Sequence, residues 1–372
     1  MLNASRFRGY VLSILIVGLF KSFMFGCVLS NPVPVPAIQM PYEYIYATIS
    51  LEGEELIANV TGIYTFINLE NENVTMRYPV PPDAIVVYVK VGNDSLSWWP
   101  TNETYQTFMG NFTMIEWFIK PVPECFNVTV YYYHPLHLRS PQIFLGEYAF
   151  LYAMGTGRLL ANWYKQTTAY VIIRLSKDIV QSNRISLETV ERVDSLWLSK
   201  SANFTLISEG ETWTVMSTFQ SEYFQPLKED LLLTFIEGMP PHIGNPIQNP
   251  AGNVQPNQPV NVTVTVTDIG TGVYNVTLYY TIDNGTSWIP IPMDGVSSQT
   301  YEATIPGFAE ENYVSYKIVA YDYAGNKAEN NNNNFYYTYQ VVPEYTATTI
   351  LIILTLYSTL AIFLIAKRRK RK

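Results

Sequence analysis

Apolar and polar residues alternate with a period of two along much of the chain, the spacing of strands that bury one face. Residues 43–51, 55–67, 84–91, 113–119 and 127–133 are built this way from Val, Ile, Thr, Tyr and Phe. The pattern recurs at 147–154, 169–175, 194–198, 204–207, 212–219 and 231–235. About eleven short strands with no long amphipathic helix predict a large sandwich-like or open-barrel domain over residues 38–238. Residues 178–191 are the one stretch where a helical turn fits. Tyr78-Pro-Val-Pro-Pro-Asp83 belongs at a sheet edge or in a loop, because proline cannot donate to a central ladder.

A Pro- and Gly-rich stretch, 239–252, punctuates the chain and marks a domain boundary near Met239. Beyond it the alternation is cleaner. Residues 260–267 and 274–282 read as strands, Asp283-Asn284-Gly285 signals a hairpin, and 288–293 pairs back. Strands at 301–305, 313–321 and 335–341 follow, so residues 239–342 are expected to form a second sandwich of about seven strands. The fold class is therefore all-β.

The two ends break the pattern. Residues 1–30 carry Arg6, Arg8 and Lys21, no acid, and the apolar runs 10–20 and 23–29. They read as a signal peptide cut near Ser30, or as an uncleaved N-terminal anchor. Residues 346–366 contain no charge, and the six that follow, 367–372, are all Lys or Arg. About 20 helical residues cross a hydrocarbon core, and a cation cluster beside the span stays cytoplasmic. The expectation is a single-pass membrane protein with a transmembrane helix at 346–366, a basic cytoplasmic tail at 367–372 and the bulk outside the cell.

Charge agrees with this division. Residues 31–345 hold 14 basic and all 31 acidic residues, a net −17 that the whole-chain value of −8 conceals. Such a body has no positive face for phosphate, which excludes nucleic acid as a partner. Ten Asn-x-Ser/Thr sequons lie within it, at Asn59, Asn73, Asn93, Asn102, Asn111, Asn127, Asn203, Asn261, Asn275 and Asn284. They are expected glycosylation sites in an exported chain.

Three segments resemble known families. Val342-Pro343-Glu344-Tyr345, followed directly by the apolar run and the basic cluster, resembles the PEF-type sorting tails of archaeal surface proteins, with tyrosine where phenylalanine is usual. That resemblance implies a sorting motif at Pro343, Glu344 and Tyr345 and a sortase-like processing enzyme as partner. The order Asp268…Gly272-Val273, Asp283-Asn-Gly285…Trp288, Tyr301-Glu-Ala-Thr-Ile-Pro306 and Ala320-Tyr-Asp322-Tyr-Ala-Gly-Asn326 resembles Ig-like or fibronectin type III-like modules of prokaryotic surface proteins. Such modules serve as spacers and adhesive units. Residues 64–91, with Phe66-x-Asn68 ahead of the proline-rich turn, are similar to opening sandwiches of other secreted proteins and imply fold alone.

Little in the chain promises chemistry. Two cysteines and three histidines exclude a disulfide-stapled scaffold and a multi-cysteine metal site. Cys125 is expected to be a buried thiol, or paired with Cys27 if the leader stays. His134 and His137 form the only close histidine pair. Asp268, Asp283 and Asp322 fall at turns of the second domain, where calcium could gather carboxylates, although ordinary turn capping uses the same residues. Trp98 and Trp99, with Tyr105 nearby, form the candidate ligand-binding patch, since flat aromatic faces stack on sugars. Trp117, Trp163, Trp197 and Trp213 sit in strand patterns and are expected in the core. No cofactor is implied and no catalytic residue stands out. The expected function is a non-catalytic, anchored surface glycoprotein acting in adhesion, envelope structure or contact with surface proteins or glycans. The alternatives are a carbohydrate-binding protein using the tryptophan patch and a surface hydrolase with its site in 38–238.

Overall fold

The structure, a computed structural model, describes residues 38–68, 73–120, 124–138, 146–155, 166–309, 312–342 and 347–369. The expected leader at 1–30, Cys27, Trp163 and the motif Pro343-Glu344-Tyr345 lie outside the described residues. The chain divides into two compact units, Met1–Gly238 and Met239–Lys372.

In chain order the first unit contains β1 (Ile38–Glu52), β2 (Glu55–Asn68), β3 (Val74–Val80), β4 (Ile85–Val91) and β5 (Asp94–Leu96). Next come β6 (Trp98–Thr107), β7 (Gly110–Ile119), β8 (Cys125–Pro135), β9 (Glu147–Tyr152) and β10 (Thr168–Ser176). The last five are β11 (Val180–Val193), β12 (Leu196–Ser201), β13 (Thr205–Glu209), β14 (Thr212–Gln220) and β15 (Asp230–Glu237). They form three sheets, ordered β13-β14-β10-β1-β2-β8-β4-β5, β12-β11-β15-β9 and β3-β7-β6.

The large sheet buries one face by alternation. Ile45, Ala47 and Ile49 of β1, Val60 of β2, Val128 and Val130 of β8 and Ile173 of β10 are all buried. Each fully buried aliphatic side chain stabilises the fold by roughly 1.5–3 kcal/mol relative to exposure. β1 pairs antiparallel with β2 and parallel with β10, from Tyr42↔Thr168 to Ile49↔Leu175. β15 is buried on both faces, as its run Leu231-Leu-Leu-Thr-Phe235 requires. Pro79 lies in β3, an edge strand, where its missing N–H costs no ladder bond.

Two expectations are corrected. Residues 178–191 hold no helical turn; most of them form β11, with a register shift between Val180 and Ile185. Cys125 is an exposed free thiol at the start of β8 and not a buried one.

The second unit is a sandwich of two five-stranded sheets. Its strands are β16 (His242–Ile243), β17 (Ile247–Asn249), β18 (Val260–Thr267), β19 (Val273–Thr281) and β20 (Ile289–Pro292). These are followed by β21 (Asp294–Gly295), β22 (Thr300–Ile305), β23 (Tyr313–Asp322), β24 (Lys327–Asn330) and β25 (Tyr337–Gln340). Val260, Val262, Val264 and Val266 of β18 face Val276 and Leu278 of β19 and Val314, Tyr316 and Ile318 of β23 in one core. The β19–β20 connection is longer than a two-residue hairpin. Asn284 and Gly285 take φ of 57° and 86° there, the left-handed conformation that Asn-Gly favours.

Among the described residues one α-helix, α1 (Ala347–Arg369), follows. Leu351, Ile353, Leu356, Leu360, Phe363 and Ile365 are all exposed, so apolar side chains surround it on every side. Over the described residues no helix is long and apolar enough to cross a membrane.

Candidate functional site

The most concentrated chemistry in the first unit lies where its three sheets meet. Glu43 occupies an inward position of β1, two residues before Ile45, and is 1% exposed. Tyr152 of β9 donates its hydroxyl to Glu43 Oε1 at 3.0 Å and shares a very short hydrogen bond with the Tyr64 hydroxyl of β2. The Tyr78 ring of β3 lies 5.6 Å from that of Tyr64 and 6.2 Å from that of Tyr132. His134 stacks between Tyr132 and Phe150, with ring centroids 6.1 Å from each. On β15 the buried Asp230 Oδ1 accepts from the Gly155 N–H at 3.0 Å and the Tyr105 hydroxyl at 3.2 Å.

Burial governs the protonation of this cluster. It pushes the Glu43 carboxyl up to about 8; the Tyr152 hydrogen bond works the other way and the Asp230 charge adds to the rise. Glu43 is therefore a neutral acid at pH 7. Burial likewise holds the Tyr64, Tyr78, Tyr132 and Tyr152 hydroxyls well above the usual phenol range. It lowers His134, against the pull of its bond to the Pro135 carbonyl. These are proton donors sealed among aromatic rings, a network that joins sheets. Gly62 makes it possible: a Cβ there would come within 2.0 Å of the Tyr64 hydroxyl oxygen, which lies over the β2 backbone.

Of these residues only His134 and Tyr105 stood out in the sequence, Tyr105 as part of a surface patch and not of a buried cluster. The available signal was Glu43 itself, a carboxylate in phase with Ile45, Ala47 and Ile49, where an apolar residue belongs. The histidine pair separates: His134 is buried, whereas His137 is exposed and bonds Asp83 at 2.7 Å.

The tryptophan patch is not a single surface. Trp98 and Trp99 are neighbours in β6, so they point to opposite faces of the three-stranded sheet. Trp98 pairs across with the buried Trp117. Trp99 is 44% exposed and donates Nε1–H to Glu116 Oε1 at 3.2 Å, while Glu116 also takes the Arg77 guanidinium at 2.7 Å. Tyr105 is buried and its hydroxyl faces Asp230, so it cannot join Trp99 in a ligand contact. Trp197 packs against a core cluster through Phe108, and Trp213 is half-buried.

Of the three turn aspartates, the structure brings two together. Asp268 and Asp322 have carboxylate oxygens within 4.8 Å of each other. Asp322 spends both oxygens on Asn326, accepting from its N–H and its side-chain amide at 2.7 Å each. Asp268 accepts the Gly272 N–H at 2.7 Å through Oδ2, and burial raises its carboxyl above the ordinary range, aided by the Asp322 charge. Asp283 serves its own loop: Ser287 and Thr281 bond its carboxylate and hold it down to about 2. The three aspartates therefore do not surround one calcium ion.

Eight sequon asparagines, at 73, 93, 102, 111, 127, 203, 275 and 284, are exposed. Asn59 and Asn261 are half-buried within ladders. The Asn59 amide bonds Glu52 at 3.2 Å and accepts from Tyr131 at 3.0 Å. The Asn261 amide reaches Glu302 at 3.4 Å.

No family model matches the chain, and no curated protein does. Among solved structures the chain is similar to a Legionella pneumophila protein described as nutrient-binding, at 16% identity and TM-score 0.38, covering 55% of this chain and 69% of that one. Yeast LTA4 hydrolase in complex with bestatin aligns at 8% identity and TM-score 0.32, over 66% of this chain and 34% of the hydrolase. A tetra-tandem repeat from the extending region of a large adhesion protein aligns at 10% identity and TM-score 0.23, over 80% and 74%.

Proposed function

We propose that this chain is a non-catalytic, glycosylated surface protein, held by one C-terminal helix and presenting two β units outside the cell. The observation that carries the reading is α1, whose apolar side chains are exposed around the whole circumference with cations at its end. A helix apolar on all sides is stable only when something apolar surrounds it. The described apolar side chains span 351–365. The anchor is counted over the full uncharged run 346–366 of the sequence, which suffices for a hydrocarbon core about 30 Å thick.

In this reading the second unit is an Ig-like spacer or adhesive module, and the Pro343-Glu344-Tyr345 motif is where a sortase-like enzyme exchanges the anchor. The body works by presentation. Its buried acids support that, because Glu43 and Asp230 are sealed within the sheets and not open to a substrate. Protease added to intact cells is expected to remove an epitope in residues 239–342 while sparing a cytoplasmic control. Survival of that epitope overturns the reading. Intact mass of the mature protein tests the sorting step: loss of residues beyond the motif is expected, and retention of Lys372 in the native host refutes it.

A further inference from the structure

The outward face of β23 carries Lys317, Val319 and Tyr321 in a row, two residues apart. The register sets Tyr279 of β19 opposite Lys317, and it sets Glu329 and Lys327 of β24 opposite Val319 and Tyr321. Trp288 arrives on the β19–β20 connection, with the Lys317 ammonium 5.0 Å from its ring centroid and the Tyr336 ring at 4.9 Å. Tyr279, Trp288, Lys317, Val319, Tyr321, Lys327 and Glu329 line an open cleft of about 250 Å³. Val319 forms its floor: its position points away from the core, yet it is only 3% exposed because the cleft walls cover it.

The charge of this cleft runs against that of its surroundings. Lys317 and Lys327 share one carboxylate, Glu329, at 2.9 and 3.2 Å. Burial pushes Glu329 up, but the two ammonium groups outweigh it and hold the carboxylate below its ordinary range. One cation is left in surplus on a body whose residues 31–345 carry −17. Aromatic faces, a surplus ammonium and a hydrogen-bonding carboxylate in so small a space match one chemical class: a sugar ring bearing an acid. Its C–H face stacks on the aromatic wall, its carboxylate meets an ammonium, and its hydroxyls bond Glu329. The volume suits one ring, falling just below the ~300–1,000 Å³ of sites for larger ligands. We propose that this cleft binds a uronic-acid residue of an acidic glycan. This does not depend on the anchor reading.

Calorimetric titration of the full chain with oligogalacturonate and with an uncharged oligohexose of equal length tests it. The protein is made without N-glycans, because Asn275 stands opposite Tyr321 in the register and a glycan there would overhang the cleft. Saturable binding of the acidic oligomer is expected, with at least tenfold preference over the neutral one. Trp288→Ala should weaken it at least tenfold. Lys327→Gln, at a half-exposed surface position, should weaken it several-fold and flatten its salt dependence. Trp99→Ala should bind as the wild type does. No saturable binding, equal affinity for the neutral oligomer, an unaffected Lys327→Gln, or loss in Trp99→Ala each overturns the proposal.

Discussion

The Tyr152 hydroxyl and the Glu43 carboxyl, 109 positions apart in sequence, meet at 3.0 Å and tie β9 of the four-stranded sheet to β1 of the eight-stranded one. The bond is made to an acid that keeps its proton to about 8 in the fold, against an ordinary value of 4.5. Between these limits the unfolded chain releases a proton that the folded chain retains. The contribution of Glu43 to stability is therefore greatest below about pH 4.5, declines as pH rises, and levels off above about pH 8. Glu43→Gln, neutral throughout, should lose that decline and melt several degrees above the wild type at about pH 8, with no such advantage near pH 4.5. Thermal melts across this range check it; parallel curves refute it.

Gly62 has no room for a side chain. Gly62→Ala places a methyl 2.0 Å from the Tyr64 hydroxyl, which is pinned by Tyr152. Overpacking of this kind costs typically 1–3 kcal/mol, and denaturant unfolding of the full chain should show that loss. A variant as stable as the wild type would mean that Tyr64 is free to move.

Asp322 is 1% exposed and closes its turn through two hydrogen bonds to Asn326. Asp322→Ala leaves the Asn326 N–H without that acceptor in a buried setting, at a cost on the order of 2–4 kcal/mol. Denaturant unfolding of the full chain should show that loss, and an unchanged midpoint refutes it.

Glycan occupancy should follow exposure. Glycopeptide mass spectrometry of native protein is expected to find sugars among the eight exposed sequons and none at Asn59 or Asn261, whose amides are engaged inside ladders. A glycan on Asn59 would have to displace the Glu52 and Tyr131 side chains that hold its amide.

Local structure was far more legible in the sequence than assembly. The strand Val260–Thr267 announces itself because every second residue is Val and the rest are Asn or Thr. β11 did not, because Gln181-Ser-Asn-Arg184 shows no apolar period and its ladder shifts register at that point. Trp98 and Trp99 looked like one surface because adjacency in sequence resembles adjacency in space, whereas a strand sends neighbours to opposite faces. The buried cluster was hidden because it draws its residues from seven strands, Glu43, Tyr64, Tyr78, Tyr105, Tyr132 with His134, Tyr152 and Asp230, and no local pattern encodes a meeting of three sheets. The Trp288 cleft was hidden likewise, since it depends on cross-strand register.

The parallel pairing of β1 with β10 sets a timetable for synthesis. The ribosome must have passed Ser176 before the opening strand can acquire its second neighbour. Until then one side of residues 42–49 is an unmatched row of amide and carbonyl groups, able to zip onto any extended stranger. Assembly that waits on so distant a partner is slow.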